Sequence, residues 1–259
     1  MTKWLLISGA MRSGTTMVAG DVASEILRLR PRSECTALSD LTQLVNRWRT
    51  QYDERRTGDW LHNIPSGGPT ELLKCGVNTL MPVSDELKWW IAKDPSLVLY
   101  PHELEQLLLD ESNYLLICLR DPRDVMASAL EVQKHQQYGH SREFYFNHVW
   151  RALDGVRTIA QNMEKNSRFR IVRYESYCRA PTNELSSIAR WLNEPYGGST
   201  SSGDARATSL SPDDPYVTPL MRRPVTDSQI GSFRSRLSVQ DQGEVSRVFS
   251  GICDFFGYE

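Results

Sequence analysis

The segment that most constrains the fold is a glycine-rich loop that follows a short apolar run near the start of the sequence. Residues 4–7 form the apolar run, and Ser8–Met17 reads S-G-A-M-R-S-G-T-T-M. A strand, a glycine turn and a helix in this order predict the first unit of an α/β fold. Gly9 and Gly14 have the spacing of a phosphate-binding loop, and Thr16 supplies a hydroxyl two residues after the second glycine. The segment therefore predicts a phosphate site.

The side chains inside this loop indicate which kind of phosphate it suits. Backbone N–H groups at a helix N-terminus hold phosphate oxygens, and the hydroxyls of Ser13, Thr15 and Thr16 add possible hydrogen bonds. Thr15 stands where a nucleoside-triphosphatase carries its lysine, and Arg12 lies within the loop instead. An ordinary glycine turn is the alternative interpretation, and the sequence R-S-G-T-T favours phosphate binding over it.

The rest of the sequence alternates apolar strand patterns with amphipathic helix patterns. Residues 114–119 form a continuous apolar run, as expected of a strand covered on both faces. Further strands are predicted near 89–92 and at 169–173, and helices at about 15–30, 38–56, 101–109, 122–134, 142–165, 182–193 and 239–256. Residues 57–70 are predicted to be a loop, and residues at about 195–218 a flexible insert. We therefore predict a central parallel sheet flanked by helices, in a single domain that spans residues 1–259.

A second motif, L-R-D-P-R-D-V-M-A-S, follows the clearest strand and spans Leu119–Ser128. Arg120 ends that strand and Ser128 lies one to two turns inside the next helix, so both side chains are predicted to reach one anion. Surface ion pairs around a helix cap are the alternative, and the residues leave both readings open. Tyr174 follows the strand at 169–173. Ligands of such sheets bind beyond the carboxyl ends of the strands, so the three motifs are expected at one rim.

Together the two motifs resemble those of sulfotransferases that use 3′-phosphoadenosine 5′-phosphosulfate (PAPS). G-A-M-R-S-G-T-T is similar to the family's 5′-phosphosulfate loop, and L-R-D-P-R-D-V-M-A-S is similar to its 3′-phosphate motif. Arg173–Pro181 resembles the segment whose tyrosine lies near the adenine. Trp90–Pro95 resembles the Lys-Asp-Pro segment of tyrosylprotein sulfotransferases, and Thr226–Ser238 resembles the final loop that covers the cofactor. The resemblance covers nearly the whole chain as short islands, and it implies the P-loop-like fold of that family.

The resemblance implies a donor and a set of site residues. PAPS would transfer its sulfuryl group directly, in line, to a hydroxyl or amine of a small-molecule acceptor, leaving adenosine 3′,5′-bisphosphate and needing no metal ion. One phosphosulfate without magnesium explains why Thr15 stands in place of a lysine. Arg12 and Lys93 are expected to stabilise charge on the transferring group, and Ser228 to donate a hydrogen bond to it. The expected donor-binding residues are Arg12, Ser13, Gly14, Thr15, Thr16, Arg120, Ser128, Tyr174 and Arg234.

The general base for the acceptor is the least defined part of the predicted site. The Lys-Thr-His segment of the cytosolic small-molecule enzymes and the Glu-Glu-Thr segment of the tyrosylprotein enzymes are both missing. Glu34 and Asp40 are carboxylates in the region after the first helix, and His62 and Asp94 lie further along the chain. We predict Asp40 as the base, because it starts the helix at 38–56 on the side where the acceptor should enter.

Two other functions remain as alternatives at this point. A metal-dependent nucleotide or small-molecule kinase would need the missing lysine and an acidic magnesium ligand at a strand end, whereas Leu116–Leu119 is followed by an arginine. A non-catalytic adenine-nucleotide-binding module would keep the phosphate loops and lack the chemistry.

Composition and charge limit the classes of binding partner and the cellular compartment that we expect. A formal net charge of −2 argues against a general nucleic-acid binder, and no apolar run approaches the ~20 residues of a membrane span. The five cysteines are scattered and form no C-x-x-C pair, which favours reduced thiols over a disulfide framework or a zinc site. We expect a cytoplasmic enzyme, a monomer or homodimer, that acts on a small molecule such as a natural product.

Overall fold

A parallel four-stranded sheet lies at the centre of the protein. The computed structural model describes residues 2–30, 34–55, 68–80, 87–135, 140–198 and 225–259. The strands are β1 (Lys3–Ser8), β2 (Trp89–Lys93), β3 (Asn113–Leu119) and β4 (Phe169–Arg173), in the order β2-β1-β3-β4 across the sheet. Each neighbouring pair is parallel. The predicted central parallel sheet is therefore confirmed.

Helices connect the strands and cover both faces of the sheet. The α-helices are α1 (Thr15–Asp21), α2 (Thr36–Arg55), α3 (Gly68–Leu80), α4 (Pro101–Leu107), α5 (Pro122–His135), α6 (Arg142–Met163), α7 (Tyr174–Arg179), α8 (Pro181–Leu192), α9 (Phe233–Arg236) and α10 (Val239–Phe256). A π-helical turn follows α1 at Val22–Ile26, and a 3₁₀ turn precedes α4 at Pro95–Leu99.

Alternate residues of the central strands belong to two separate cores. Leu6 and Ile117 pack into the larger core with buried residues of α2–α6 and α10. Leu5, Ile7 and Leu116 pack into a smaller core on the opposite face with buried residues of α1 and α8. Because side chains alternate across a strand, a sheet covered on both faces needs the continuous apolar runs seen in the sequence.

The predicted helix at 15–30 is wrong beyond its first two turns. The α-helix ends at Asp21, widens into the π-helical turn at Val22–Ile26 and stops before Arg28, whose φ of 56° is left-handed. The buried carboxylate of Asp21 accepts a hydrogen bond of 2.6 Å from the Tyr177 hydroxyl of α7. Periodicity alone did not show where the helix would stop, since the left-handed backbone at Arg28 has no signature in the apolar pattern.

The predicted loop at 57–70 is wrong at its end. Residues 56–67 lie outside the described part of the chain, but Gly68–Leu80 forms α3. Pro69 stands in the first turn of this helix, a position where proline is tolerated. Leu73 and Val77, four residues apart, bury one face of α3. Glycine and proline therefore marked a helix start here rather than a loop.

The predicted insert at about 195–218 lies mostly outside the described residues, which stop at Gly198 and resume at Val225. The helix at 239–256 and the strand at 169–173 have their predicted bounds, while α7, directly after that strand, was not predicted.

The strands end together at one edge of the sheet. Ile7 of β1 is level with Lys93 of β2, and Leu119 of β3 is level with Arg173 of β4. The glycine loop, Arg120 and Tyr174 follow directly on β1, β3 and β4. The expectation that the motifs share one rim is confirmed.

Candidate active site

The glycine loop depends on close backbone approaches at two positions. A Cβ atom on Gly9 would lie 2.3 Å from the carbonyl oxygen of Cys118, so the loop crosses directly over the end of β3. Gly14 is the N-cap of α1, with a left-handed φ of 94°. A Cβ atom on Gly14 would lie 2.7 Å from Cδ2 of Tyr174. The two glycines are therefore required by geometry, and Tyr174 lies against the loop.

Arg12 occupies the centre of this loop in a strained conformation. Its φ of 66° is left-handed, an arrangement that non-glycine residues adopt mainly where the surroundings enforce it. Its Nε atom donates a hydrogen bond of 3.1 Å to Oγ of Ser128 in α5. Burial lowers the pKa of Arg12, and the nearby charge of Arg120 lowers it further. The loop and the second motif thus meet in one cluster, although they are far apart in sequence.

Arg120 binds three separate parts of the site. Its Nη1 donates to the carbonyl of Arg12 at 3.2 Å, and its Nη2 donates to the carbonyl of Gln229 at 2.8 Å. Its guanidinium lies over the ring of Tyr174, 4.3 Å from the centroid. The Nε atom is buried and has no hydrogen-bond partner among the described residues. The buried guanidinium of Arg120, with one donor unpartnered among the described residues, and the nearby positive charge of Arg12 make a site suited to an anion.

Lys93 brings a third cation to the mouth of the loop. As the last residue of β2, its side chain is buried, and Nζ donates to Oγ1 of Thr16 at 3.1 Å. Nζ also forms an ion pair of 2.6 Å with Glu34, whose side chain is 45% exposed. The backbone N–H of Cys35 donates to the carbonyl of Lys93 at 2.9 Å, which holds Glu34 beside the lysine.

The carboxylate in contact with Lys93 is therefore Glu34. Asp40, the predicted base, lies exposed near the start of α2. The pKa of Tyr100 is raised mainly by burial, and the charge of Asp40 adds to this with a smaller effect than those of Arg151, which lowers it, and Glu103. Asp94 is 1% exposed and accepts from the N–H of Ser96 at 2.8 Å, so it caps the 3₁₀ turn. Burial raises the pKa of Asp94 above the usual carboxyl value. His62 lies outside the described residues.

The C-terminal segment reaches the same cluster through a residue that the sequence did not single out. Ser228 is exposed, with its hydroxyl 2.8 Å from that of Thr226. Arg234 is also exposed, and its guanidinium lies 4.7 Å from the ring centroid of Phe233. Burial and the charge of Arg120 lower the pKa of Arg12 most, and Glu34 raises it. The next effect comes from this segment, where the charge of Arg236 lowers the same pKa. In the sequence F-R-S-R of residues 233–236, the second arginine is the feature that could have indicated this contribution to the site.

The site thus gathers most of the predicted residues. Arg12, Thr16, Lys93, Arg120, Ser128 and Tyr174 are linked by the contacts above, and Ser13 is buried in the loop with no hydrogen-bond partner for Oγ among the described residues. No cluster of three or more histidine, cysteine or acidic side chains suited to a metal ion occurs within the described residues. No helix in that part of the chain is long and apolar enough to cross a membrane.

Comparisons with known proteins agree with this geometry. The model of the sulfotransferase family matches residues 5–197. No curated protein sequence matches significantly. The fold resembles the sulfotransferase domain from the curacin biosynthetic pathway, with a TM-score of 0.60 at 14% identity, covering 100% of this chain and 98% of that chain.

Two further structures resemble the chain as a whole. The sulfotransferase domain of the Synechococcus PCC 7002 olefin synthase has a TM-score of 0.55 at 15% identity, over 96% of this chain and 94% of that chain. Retinol dehydratase, in complex with androsterone and the inactive cofactor PAP, has a TM-score of 0.53 at 12% identity, over 96% of this chain and 80% of that chain. At such identities the similarity establishes the fold, and the predicted P-loop-like architecture is confirmed.

Proposed function

The chain belongs to the sulfotransferase family, and from the site we propose that it transfers a sulfuryl group from PAPS to a hydroxyl or amine of a small-molecule acceptor. Adenosine 3′,5′-bisphosphate is the second product. One observation carries the proposal: the two motifs interlock, with Arg120 donating to the carbonyl of Arg12 and Arg12 donating to Ser128. The interlocked motifs form one buried cationic site at the carboxyl edge of the sheet, which suits a ligand with two separate phosphate groups.

The described residues fit such a donor. The 3′-phosphate is assigned to Arg120 and Ser128, because the unpartnered Nε of Arg120 offers a buried donor. The 5′-phosphosulfate is assigned to the backbone N–H groups of residues 14–16 at the start of α1, since the N–H of Ser13 already donates to the carbonyl of Ala10 at 3.1 Å. Tyr174, packed on Gly14 and under Arg120, lies where the adenosine would pass. That a neighbouring structure, retinol dehydratase, holds PAP supports this class of donor.

The remaining cations account for the chemistry. In the proposed transfer the acceptor oxygen or nitrogen bonds to sulfur on one side while the bond from sulfur to the 5′-phosphate oxygen breaks on the other. The departing phosphate gains negative charge, which Lys93 is placed to stabilise because its Nζ lies 3.1 Å from Thr16 in the loop. Arg12, within the same loop, adds a second positive charge. Ser228 is proposed to donate a hydrogen bond to the transferring group.

The acceptor must lose a proton, and two carboxylates are candidates for the base. Glu34 contacts Lys93 directly and is partly exposed, so it borders both the transfer centre and solvent. Asp40 remains the alternative, further along the same side of the site. For the acceptor we propose a natural product, since two structural neighbours come from the curacin pathway and an olefin synthase.

Incubation with ³⁵S-labelled PAPS tests the proposal. We expect label to pass to at least one member of a panel of hydroxyl and amine acceptors, with one adenosine 3′,5′-bisphosphate formed per label transferred. Lys93→Ala, assayed in parallel, should lose the transfer. Phosphorylation of the same panel from Mg-ATP would instead identify a kinase, and donor binding without transfer would identify a non-catalytic module.

A further inference from the structure

Asp124, in the first turn of α5, is a fully buried carboxylate for which the proposed transfer has no direct use. Its relative exposure is 0%. The donors of one short segment point to it: the N–H of Gly231 at 2.7 Å, the N–H of Phe233 at 2.9 Å and the hydroxyl of Ser232 at 3.2 Å. Arg120 is further away, with Nη2 3.9 Å from Oδ2. Asp124 therefore holds a loop more than 100 residues distant in sequence through charge-assisted hydrogen bonds.

The segment that Asp124 holds passes directly over the cationic cluster. The carbonyl of Gln229 accepts from Arg120 at 2.8 Å, and the side-chain carbonyl of Gln229 accepts from Arg236. The chain turns at Gly231, with a left-handed φ of 71°, and then enters α9. Residues 229–236 thus form one wall of the site, and this wall carries Arg236 towards Arg12.

We propose that Asp124 is a positioning residue for the donor site: it fixes residues 229–236 across Arg120 before the donor binds. This inference rests on the proposed function, because the ligand concerned is the 3′-phosphate of the donor. A wall that is already ordered avoids the entropy cost of ordering a loop on binding. The carboxylate is suited to this role, because its two oxygens accept three donors at once.

A matched pair of variants separates this role from a general loss of stability. Asp124→Asn keeps the side-chain shape but turns one acceptor oxygen into a donor, which opposes an N–H of the loop. Asp154→Asn makes the same change at a partly exposed ion pair of α6, where Asp154 meets Arg157. Ser232→Ala removes the weakest of the three contacts from the loop side and leaves the buried carboxylate intact, so it serves even if Asp124→Asn folds poorly.

Two measurements on the full chain test the proposal. In hydrogen exchange of the ligand-free protein, amides of residues 229–236 should exchange about tenfold faster in Asp124→Asn and less so in Ser232→Ala, with α1 and β3 unchanged. In calorimetric titration, the Kd for adenosine 3′,5′-bisphosphate should rise about tenfold or more in Asp124→Asn and a few-fold in Ser232→Ala. The acceptor KM should stay within a factor of two, and Asp154→Asn should match the wild type throughout.

Unchanged exchange of residues 229–236 in both variants would overturn the proposal, as would wild-type affinity of Asp124→Asn for the bisphosphate. An equal rise in acceptor KM and donor Kd would also overturn it, since that pattern indicates a general distortion. If the wild type itself fails to bind the bisphosphate, the proposed donor is wrong. The exchange data then still decide whether Asp124 anchors the loop.

Discussion

Arg120, at the end of β3, donates a hydrogen bond from Nη1 to the backbone carbonyl of Arg12 at 3.2 Å. The contact joins the glycine loop, for which the sequence favoured phosphate binding, to the second motif, for which the residues left two interpretations open. The positive charge of Arg120 also lowers the pKa of Arg12, after the larger effect of burial, so the two like charges disfavour each other until an anion binds. We therefore expect the site to prefer a ligand with fixed negative charge.

Replacement of Arg120 by lysine should weaken donor binding. Lysine cannot bridge the carbonyls of Arg12 and Gln229 while it also faces a phosphate, because it lacks the planar fork of guanidinium. We expect the affinity for adenosine 3′,5′-bisphosphate to fall by about 10- to 100-fold, measured by calorimetric titration. Arg157→Lys, on the surface of α6, should leave the affinity unchanged. Equal affinity of Arg120→Lys and wild type would refute the assignment.

Lys93→Ala should lower turnover more than donor affinity. Its amine contacts Thr16 at the mouth of the loop, where in the proposed transfer charge would develop only as the bond from sulfur to the 5′-phosphate oxygen breaks. We expect kcat to fall by about 10²- to 10³-fold, with less than a tenfold change in the Kd of the bisphosphate. A loss confined to affinity, with the bound donor turning over at the normal rate, would show that Lys93 is only a binding residue.

The identity of the base is tested by a pair of isosteric substitutions. Glu34→Gln removes the carboxylate that contacts Lys93 at 2.6 Å, and Asp40→Asn removes the exposed carboxylate of α2. We expect Glu34→Gln to lower kcat by about 10²-fold or more and Asp40→Asn to have little effect, in steady-state kinetics at saturating donor. The opposite ranking would establish Asp40, as the sequence suggested.

Gly14→Ala should distort the loop. The added Cβ would lie 2.7 Å from Tyr174, and a φ of 94° is strained for alanine. The free energy of unfolding should fall by about 1–3 kcal/mol, measured by urea denaturation, and donor affinity should fall with it. Gly251 in α10 has no neighbouring atom within 4 Å of the added Cβ, so Gly251→Ala should stabilise the protein by about 0.5–1 kcal/mol. Similar effects at the two sites would contradict this account of the loop.

Asp94 makes stability depend on pH in a defined direction. Burial raises its pKa, so the folded state binds its proton more tightly than the unfolded chain does. Its stabilising contribution is present below the unfolded value of about 3.9 and is lost as pH rises through the higher folded value. Relative to wild type, Asp94→Asn should therefore gain stability as the pH rises above about 4, measured by urea denaturation at each pH. A pH-independent difference would show that Asp94 titrates normally.

The sequence predicted the parts of the site that depend on local chain geometry. Gly9 and Gly14 follow a strand at the spacing of a phosphate-binding loop, and Arg120 follows a continuous apolar strand. Since parallel strands end at one edge, the meeting of the glycine loop with Arg120 and Tyr174 could be predicted without coordinates, while the place of Lys93 was implied by the family resemblance.

Contacts that depend on how distant segments of the chain pack together could not be predicted from the sequence in the same way. Glu34 reaches Lys93 because Cys35 bonds to the backbone of β2, a contact between distant segments that leaves no periodic pattern. Arg234 and Arg236 stand two residues apart in one short helix. Arg236 is the one that donates to the side chain of Gln229 and whose charge acts on Arg12, a distinction that the sequence does not carry. The start of α3 could not be recognised in the sequence, because the glycine and proline that begin this helix are also typical of a loop.

Calorimetric titration of the wild-type protein tests the central claim most directly. The ligands are adenosine 3′,5′-bisphosphate and ATP, each with EDTA and with excess magnesium. We predict tight binding of the bisphosphate that is independent of magnesium and stronger than that of ATP under both conditions. Preferential binding of Mg-ATP, with weak or magnesium-dependent binding of the bisphosphate, would contradict it.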